Sequence, residues 1–314
     1  MNTMAAIVIP IYIVIILGLI VYNGRRVKNF KDFALGGGTL PWYVISGTIL
    51  ATGIGGGVMM GYVGSFYTNG VMFFWMCLGL FTSYMLVSFL ISARIRKLNV
   101  YTIADIFLLR YGKSARIVSG IINMIIGIAV GFAMLASFST LLSVYVGIPI
   151  VAARIIGVLL FATMATLGGF RGLAITDVIQ STLILVGALV VTITAFSNAG
   201  GFAGLSTLPP NLLDITAPNI PFLIFGGSVI SALGMGLADQ ATMFQRINAA
   251  RSPKDAKKAT RTFGFLALGL FIMIMLIGLS ARVILGEGVP SDTVIAVLLR
   301  SVHPLIGTLY ARPL

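Results

Sequence analysis

Hydrophobic residues in this chain gather into long runs, and polar residues collect in the short stretches between them. A helix needs about 20 apolar residues to cross a bilayer. Eight runs approach or exceed that length, near residues 5–22, 41–67, 71–93, 115–146, 150–167, 173–197, 218–244 and 263–285, and a further helix begins near 301. The first run is followed directly by Arg25 and Arg26 and has neither a basic n-region nor a small-residue cleavage site, so it reads as a membrane helix that is retained. Residues 99–112, NVYTIADIFLLRYG, are too short and polar to span and predict an amphipathic helix at the membrane interface. Residues 198–217 are rich in Gly, Pro and Asn and predict a loop.

Composition agrees with this pattern. Of 314 residues, 58% are hydrophobic and only 9% are charged, against roughly 25% charged in soluble domains. The formal net charge of +13 comes from basic residues placed between the apolar runs. Alternate loops hold 17 of the 21 Lys and Arg, which predicts that this loaded side is cytoplasmic and that the N-terminus lies outside. No basic stripe interleaved with aromatics is present, so nucleic acid is not an expected partner. The lone His303 and lone Cys77 exclude a multi-histidine metal site and an intrachain disulfide. With no convincing nucleophile–base constellation, the chain does not read as an enzyme, and no cofactor is expected.

Glycine marks two places where membrane helices are expected to break. The second run contains Ala51-Thr52-Gly53-Ile54-Gly55-Gly56-Gly57, and the seventh contains Gly226-Gly227-Ser228 followed by Gly234 and Gly236. If the first run is peripheral, these are the first and sixth helices of a core. They then cross in opposite directions, as inverted repeats require, and a pair of interrupted segments in matching positions points to a transporter's midplane site. The alternative is that the glycines only let helices pack closely. Among eight carboxylates, Asp177 sits in an apolar segment, within Ile175-Thr176-Asp177-Val178-Ile179-Gln180. Carboxylates at membrane depth usually face an interior cavity or cation path; the alternative is a helix-start carboxylate that complements the helix dipole. Asp239 is expected to pair with Arg246 or with another loop charge.

Several stretches taken in order resemble the sodium/solute symporter family. They are Asp32-Phe33 through Leu40-Pro41-Trp42, then Ala51-Thr52-Gly53-Ile54 with Gly61, Gly64 and Tyr67, then Thr102, Asp105, Arg110, Tyr111 and Gly112. Gly168-Gly169-Phe170-Arg171 with Thr176-Asp177 and Gln180, and Asp239-Gln240 with Gln245-Arg246, continue the pattern, so that it covers about residues 30–262. The resemblance implies an all-α polytopic membrane protein with the LeuT-like inverted-repeat fold, incomplete here. Residues 1–24 would form a peripheral helix, 25–200 the first five-helix repeat, and 201–314 part of the second, through core helix 7 and the start of 8. It also implies sodium-coupled symport of a small organic solute across the plasma membrane. Na+ would bind at the backbone carbonyls of Ala51 and Ile54, with Asp177 on the inner cation path. Gly55, Gly56, Gly57, Gly226, Gly227 and Ser228 would border the substrate cavity. The family's hydroxyl ligands for Na+ come from the eighth core helix, where this sequence stops. Two other readings stand beside symport: a symporter-like sensor domain of a longer signalling protein, and an inactive fragment of a symporter.

Overall fold

The computed structural model describes residues 3–25, 27–216, 223–230 and 243–302. Among them the chain is helical throughout, with no β-strand and a single isolated parallel bridge between Leu40 and Ala250. Four helical stretches are long and apolar enough to cross a membrane: Gly56–Leu98, Lys113–Thr140, Ile150–Asn198 and Pro253–Leu285. The protein is multi-pass.

The helices in chain order are α1 (Thr3–Gly24), α2 (Phe30–Leu35), α3 (Trp42–Gly53), α4 (Gly56–Asn69), α5 (Phe74–Leu86), α6 (Ala93–Leu98), α7 (Ile103–Tyr111) and α8 (Lys113–Val146). They continue with α9 (Ile150–Asn198), α10 (Gly201–Leu205), α11 (Pro210–Leu213), α12 (223–230), α13 (Gln245–Ala249), α14 (Pro253–Leu285) and α15 (Val294–Val302). A π-helical turn over Val87–Ser92 joins α5 to α6; the Ser92 hydroxyl donates to the Val87 carbonyl at 3.0 Å, which suits that wider turn.

Local chemistry sets the ends. Asn29 caps α2 by accepting from the Asp32 amide at 2.8 Å, and Gly36 closes that helix at φ 58°. Thr102 and Asp105 form a reciprocal capping box that starts α7. Ser252 accepts from the Asp255 amide at 3.0 Å ahead of α14, and the Asp255 carboxylate in turn takes hydrogen bonds from Ser252 and Arg251. Replacing Ser252 with Ala is therefore expected to cost about 1 kcal/mol, measurable as a lowered unfolding midpoint in detergent. This cap also explains a difference in length. The expected span begins near 263, whereas the helix begins ten residues earlier, because the basic 253–262 stretch is capped and rich in helix formers.

Two compact units divide the chain, Met1–Thr52, Tyr84–Ser181 and Leu233–Phe263 in one, and Gly53–Ser83, Thr182–Ala232 and Gly264–Leu314 in the other. They interleave along the sequence. In the first unit, small residues let helices approach closely. A Cβ on Gly24 would lie 1.9 Å from the Leu167 carbonyl, and one on Gly168 would strike Ile20 at 2.5 Å. The Ser46 hydroxyl reaches the Ala259 carbonyl at 3.1 Å, and Ser92 meets Thr260 at 3.0 Å, so polar side chains are satisfied across helices. In the second unit, Leu205, Leu208, Leu212 and Leu279 form a buried cluster under the 198–216 connection, which carries α10 and α11 where a loop was expected. Tyr67 donates to the Gly286 carbonyl at 2.7 Å and accepts from the Val289 amide at 3.2 Å, tying α4 to the segment after α14.

Residues 150–167 and 173–197, expected as separate segments, are two helical stretches of α9 that meet in a kink at Gly169, whose non-helical φ of 53° and ψ of −177° a side chain would resist. Two expectations need adjustment. The last helix begins at Val294, not near 301, and residues 303–314 lie outside the described part. Gly226, Gly227 and Ser228 do not interrupt their helix: α12 runs continuously through them. Ser228 supports it by donating to the Ile224 carbonyl at 2.7 Å and by packing on Gly79, where an added Cβ would lie 2.4 Å from the Ser228 Cβ. Gly234, Gly236 and Asp239 lie outside the described residues.

Candidate functional site

The helix break expected in the second run is present. α3 ends at Gly53, and α4 starts at Gly56 with Gly55 in extended conformation at its N-terminus (φ −81°, ψ −178°). An α-helix leaves its last four carbonyls without intrahelical donors, and those carbonyls form the negative end of the helix dipole. Ala51 lies in that last turn and is half-buried; Ile54 is the residue between the two helices and is buried. Backbone oxygens released in this way are hard ligands suited to a small cation. Among the described residues no group of three or more His, Cys, Asp or Glu side chains is placed to hold a metal ion.

Below the break, α3 presents Thr48 and Thr52, four residues apart and so on one face. The facing helix is α9. It comes close because Gly47 has no side chain: a Cβ there would lie 3.1 Å from both Val178 and Ser181. That approach brings Asp177 to Thr48, whose hydroxyl donates to the Asp177 carboxylate. Asp177 stands eight residues beyond the Gly169 bend, inside α9, so it does not act as a helix-start carboxylate.

The fourth member of the cluster comes from α13. Arg246 is 8% exposed, and its Nη2 lies 3.6 Å from Asp177 Oδ2. Its Nε donates to the Thr48 hydroxyl at 3.1 Å, and its Nη2 donates to the Thr52 hydroxyl. The guanidinium also stands 5.6 Å from the centre of the Phe170 ring. α13 is held in place by its neighbours: Gln245 donates to the Ala34 carbonyl at 2.6 Å, Leu40 and Ala249 share a backbone bond of 3.1 Å, and Arg96 donates to the Ala250 carbonyl at 2.5 Å. A buried cation and a largely buried carboxylate thus meet two hydroxyls, those of Thr52 and Thr48, whose residues lie about 1.5 and about 7.5 Å along α3 from Gly53, where the helix ends.

Of the residues singled out in the sequence, Ala51 and Ile54 flank the break and Asp177 is buried one to two turns from it. Gly55 is half-buried, and Gly56 and Gly57 are exposed at the start of α4. Gly226 and Gly227 face open space, since a Cβ on either would meet nothing within 4 Å, whereas Ser228 is buried against α5. Sequence reasoning missed the partnership of Asp177 with Arg246, and it missed Thr48 and Thr52. The signal for the threonines was available in their i, i+4 spacing just before the glycine run.

Comparison with known proteins supplies the context. The model of the sodium:solute symporter family matches residues 33–300. The chain is 28% identical over 305 residues to a sodium/glucose cotransporter of Vibrio parahaemolyticus, covering 89% of this chain and 55% of that protein. It is 26% identical over 324 residues to the osmoregulated proline transporter OpuE of Bacillus subtilis, covering 94% of this chain and 63% of that one. Among solved structures, a Na+-coupled sialic acid symporter in a substrate-bound outward-open state superposes with a TM-score of 0.82 at 20% identity, over 96% of this chain and 64% of its own. The fold is LeuT-like. The chain spans less than two thirds of the length of each of these proteins.

Proposed function

The chain belongs to the sodium:solute symporter family, and we propose that it serves sodium-coupled symport of a small organic solute, with Na+ as the coupling ion. The observation that carries this reading is the buried Asp177–Arg246–Thr48–Thr52 cluster next to the break between α3 and α4. Na+ binds at the carbonyls of Ala51 and Ile54, and Asp177 lies on its inward route. Arg246 keeps that route close to neutral. A bare carboxylate at this depth would hold a cation too tightly to release it, whereas a paired one lets the ion pass.

Gly55, Gly56 and Gly57, with Gly226 and Gly227, border the solute cavity, and Ser228 seats α12 against α5 at its edge. Residues 25–200 form the first inverted repeat and 201–314 belong to the second, with 1–24 as a peripheral helix. The loaded basic loops face the cytoplasm and the N-terminus lies outside. The relatives' names supply the first solutes to try: a sugar, proline and sialic acid.

The test is uptake of those labelled solutes into proteoliposomes containing the full protein under an inward Na+ gradient. Asp177→Asn is expected to lower Na+-driven uptake on the order of tenfold, the loss of one charge-assisted contact to the moving ion. Uptake with unchanged Na+ dependence in that variant would remove Asp177 from the cation path. Uptake indifferent to the Na+ gradient in the unaltered protein would remove sodium coupling altogether.

A further inference from the structure

The interfacial helix α7 and the long helix α8 enclose a groove of about 680 Å³ within a single unit of the fold. Leu108, Ile117, Ile121 and Met124 wall it, and Gly120 leaves its floor open, since a Cβ there would meet nothing within 4 Å. Its mouth is basic. Lys113 and Arg116 line it.

The acidic side of this mouth is already occupied. Asp105 Oδ2 accepts a hydrogen bond from the Thr102 amide at 2.9 Å, and its Oδ1 pairs with Arg116 Nη2 at 3.3 Å. One carboxylate thus stands against two cations, Lys113 and Arg116. Arg116 keeps 53% of its side chain exposed and has further donors to offer, and no carboxylate among the described residues pairs with Lys113. From Arg116 to Met124 the groove follows α8 for about 12 Å. That is close to the ~15 Å hydrocarbon depth of one leaflet.

We propose that this groove binds one anionic phospholipid, its phosphate on Lys113 and Arg116 and one acyl chain laid along Ile117, Gly120, Ile121 and Met124. Charge selects the headgroup: a zwitterionic lipid brings its own cation into a mouth that already carries an excess of them. Position agrees, because positive-inside topology puts this mouth in the cytoplasmic leaflet, where a basic pocket between membrane helices suits an acidic headgroup. The site owes nothing to the Na+ route or to the solute. It rests on the membrane assignment and on the proposed orientation of the basic loops.

The experiment is native mass spectrometry of the purified chain after exchange into detergent with phosphatidylglycerol, with phosphatidylcholine, or with inorganic phosphate alone. One phosphatidylglycerol per chain is expected to survive conditions that strip phosphatidylcholine. K113Q/R116Q is expected to weaken phosphatidylglycerol binding about tenfold relative to phosphatidylcholine, near fivefold for an exposed charge and less for the one shared with Asp105. Gly120→Phe fills the groove without touching the basic mouth, and it is expected to abolish lipid retention while the circular dichroism spectrum stays unchanged. Equal retention of the two lipids overturns the proposal, as does phosphatidylglycerol binding that survives both variants. Inorganic phosphate retained as strongly as the lipid overturns it by showing a charge site without an acyl groove. A dimeric mass with the groove inaccessible to lipid overturns it in favour of a second copy.

Discussion

Arg246→Met is expected to destabilise the protein by about 3–5 kcal/mol, the cost of stripping the partner from a buried carboxylate. The reasoning starts from burial. The two side chains are 9% and 15% exposed, so water cannot replace the guanidinium that Asp177 loses. The Thr48 hydroxyl still reaches the carboxylate, but a neutral donor offsets only part of the charge. Arg246→Lys keeps the charge and loses the planar fork that reaches Thr48, Thr52 and Asp177 together, so an intermediate cost is expected. Asp177→Asn combined with Arg246→Met removes both charges and should recover most of the loss. A denaturant titration of the four proteins in mixed micelles gives the coupling between the sites, expected at about 2 kcal/mol or more. Additive single-mutant losses would show that the two residues are neighbours without a functional ion pair. The double variant also separates stability from transport: it should fold, yet still lack the carboxylate that Na+ passes.

The parts of this arrangement that were legible in the sequence are those set by local chemistry. A run of Gly53, Gly55, Gly56 and Gly57 inside an apolar segment weakens the helix in place, and the break appears between α3 and α4. Asp177 stood out because an apolar segment rarely carries a carboxylate, and only 15% of its side chain is exposed. Its partner was not legible. Arg246 follows Asp177 by 69 positions, in a stretch whose many basic residues read as cytoplasmic loop. Only tertiary packing of α13 against α2 and the 36–38 turn carries it inward. The second glycine cluster shows the opposite failure. Gly226-Gly227-Ser228 has much the same composition as the first, but Ser228 bonds to its own helix and seats on Gly79, and Ser83 donates to the Val229 carbonyl at 2.7 Å. Those contacts keep α12 helical where composition alone favours interruption.

The second large effect is expected at Gly70, between α4 and α5. Gly70→Ala should cost about 3–5 kcal/mol, and two independent reasons add. The residue sits at φ 67° and ψ −154°, a conformation essentially restricted to glycine, and any side chain there is strained by about 1–3 kcal/mol. Its Cβ would also lie 2.1 Å from the Leu212 carbonyl oxygen, with the next two nearest atoms, at 2.6 Å, belonging to the same backbone. A flexible side chain could rotate away from such a contact; backbone cannot. Relief would require α11 to move, and α11 carries Leu212 into the buried cluster with Leu205, Leu208 and Leu279. The cost would therefore spread into the packing of the whole 198–216 connection. Gly61→Ala on the same helix is the matched control, since a Cβ there meets nothing within 4 Å. That change is expected to be neutral, or stabilising by up to about 1 kcal/mol, because alanine favours helix. Unfolding midpoints of the two variants in one detergent should therefore fall on opposite sides of the unaltered protein or straddle it closely at the Gly61 end. Two equal losses would mean that α4 tolerates no added methyl anywhere, and the close approach of Gly70 to Leu212 would have no special weight.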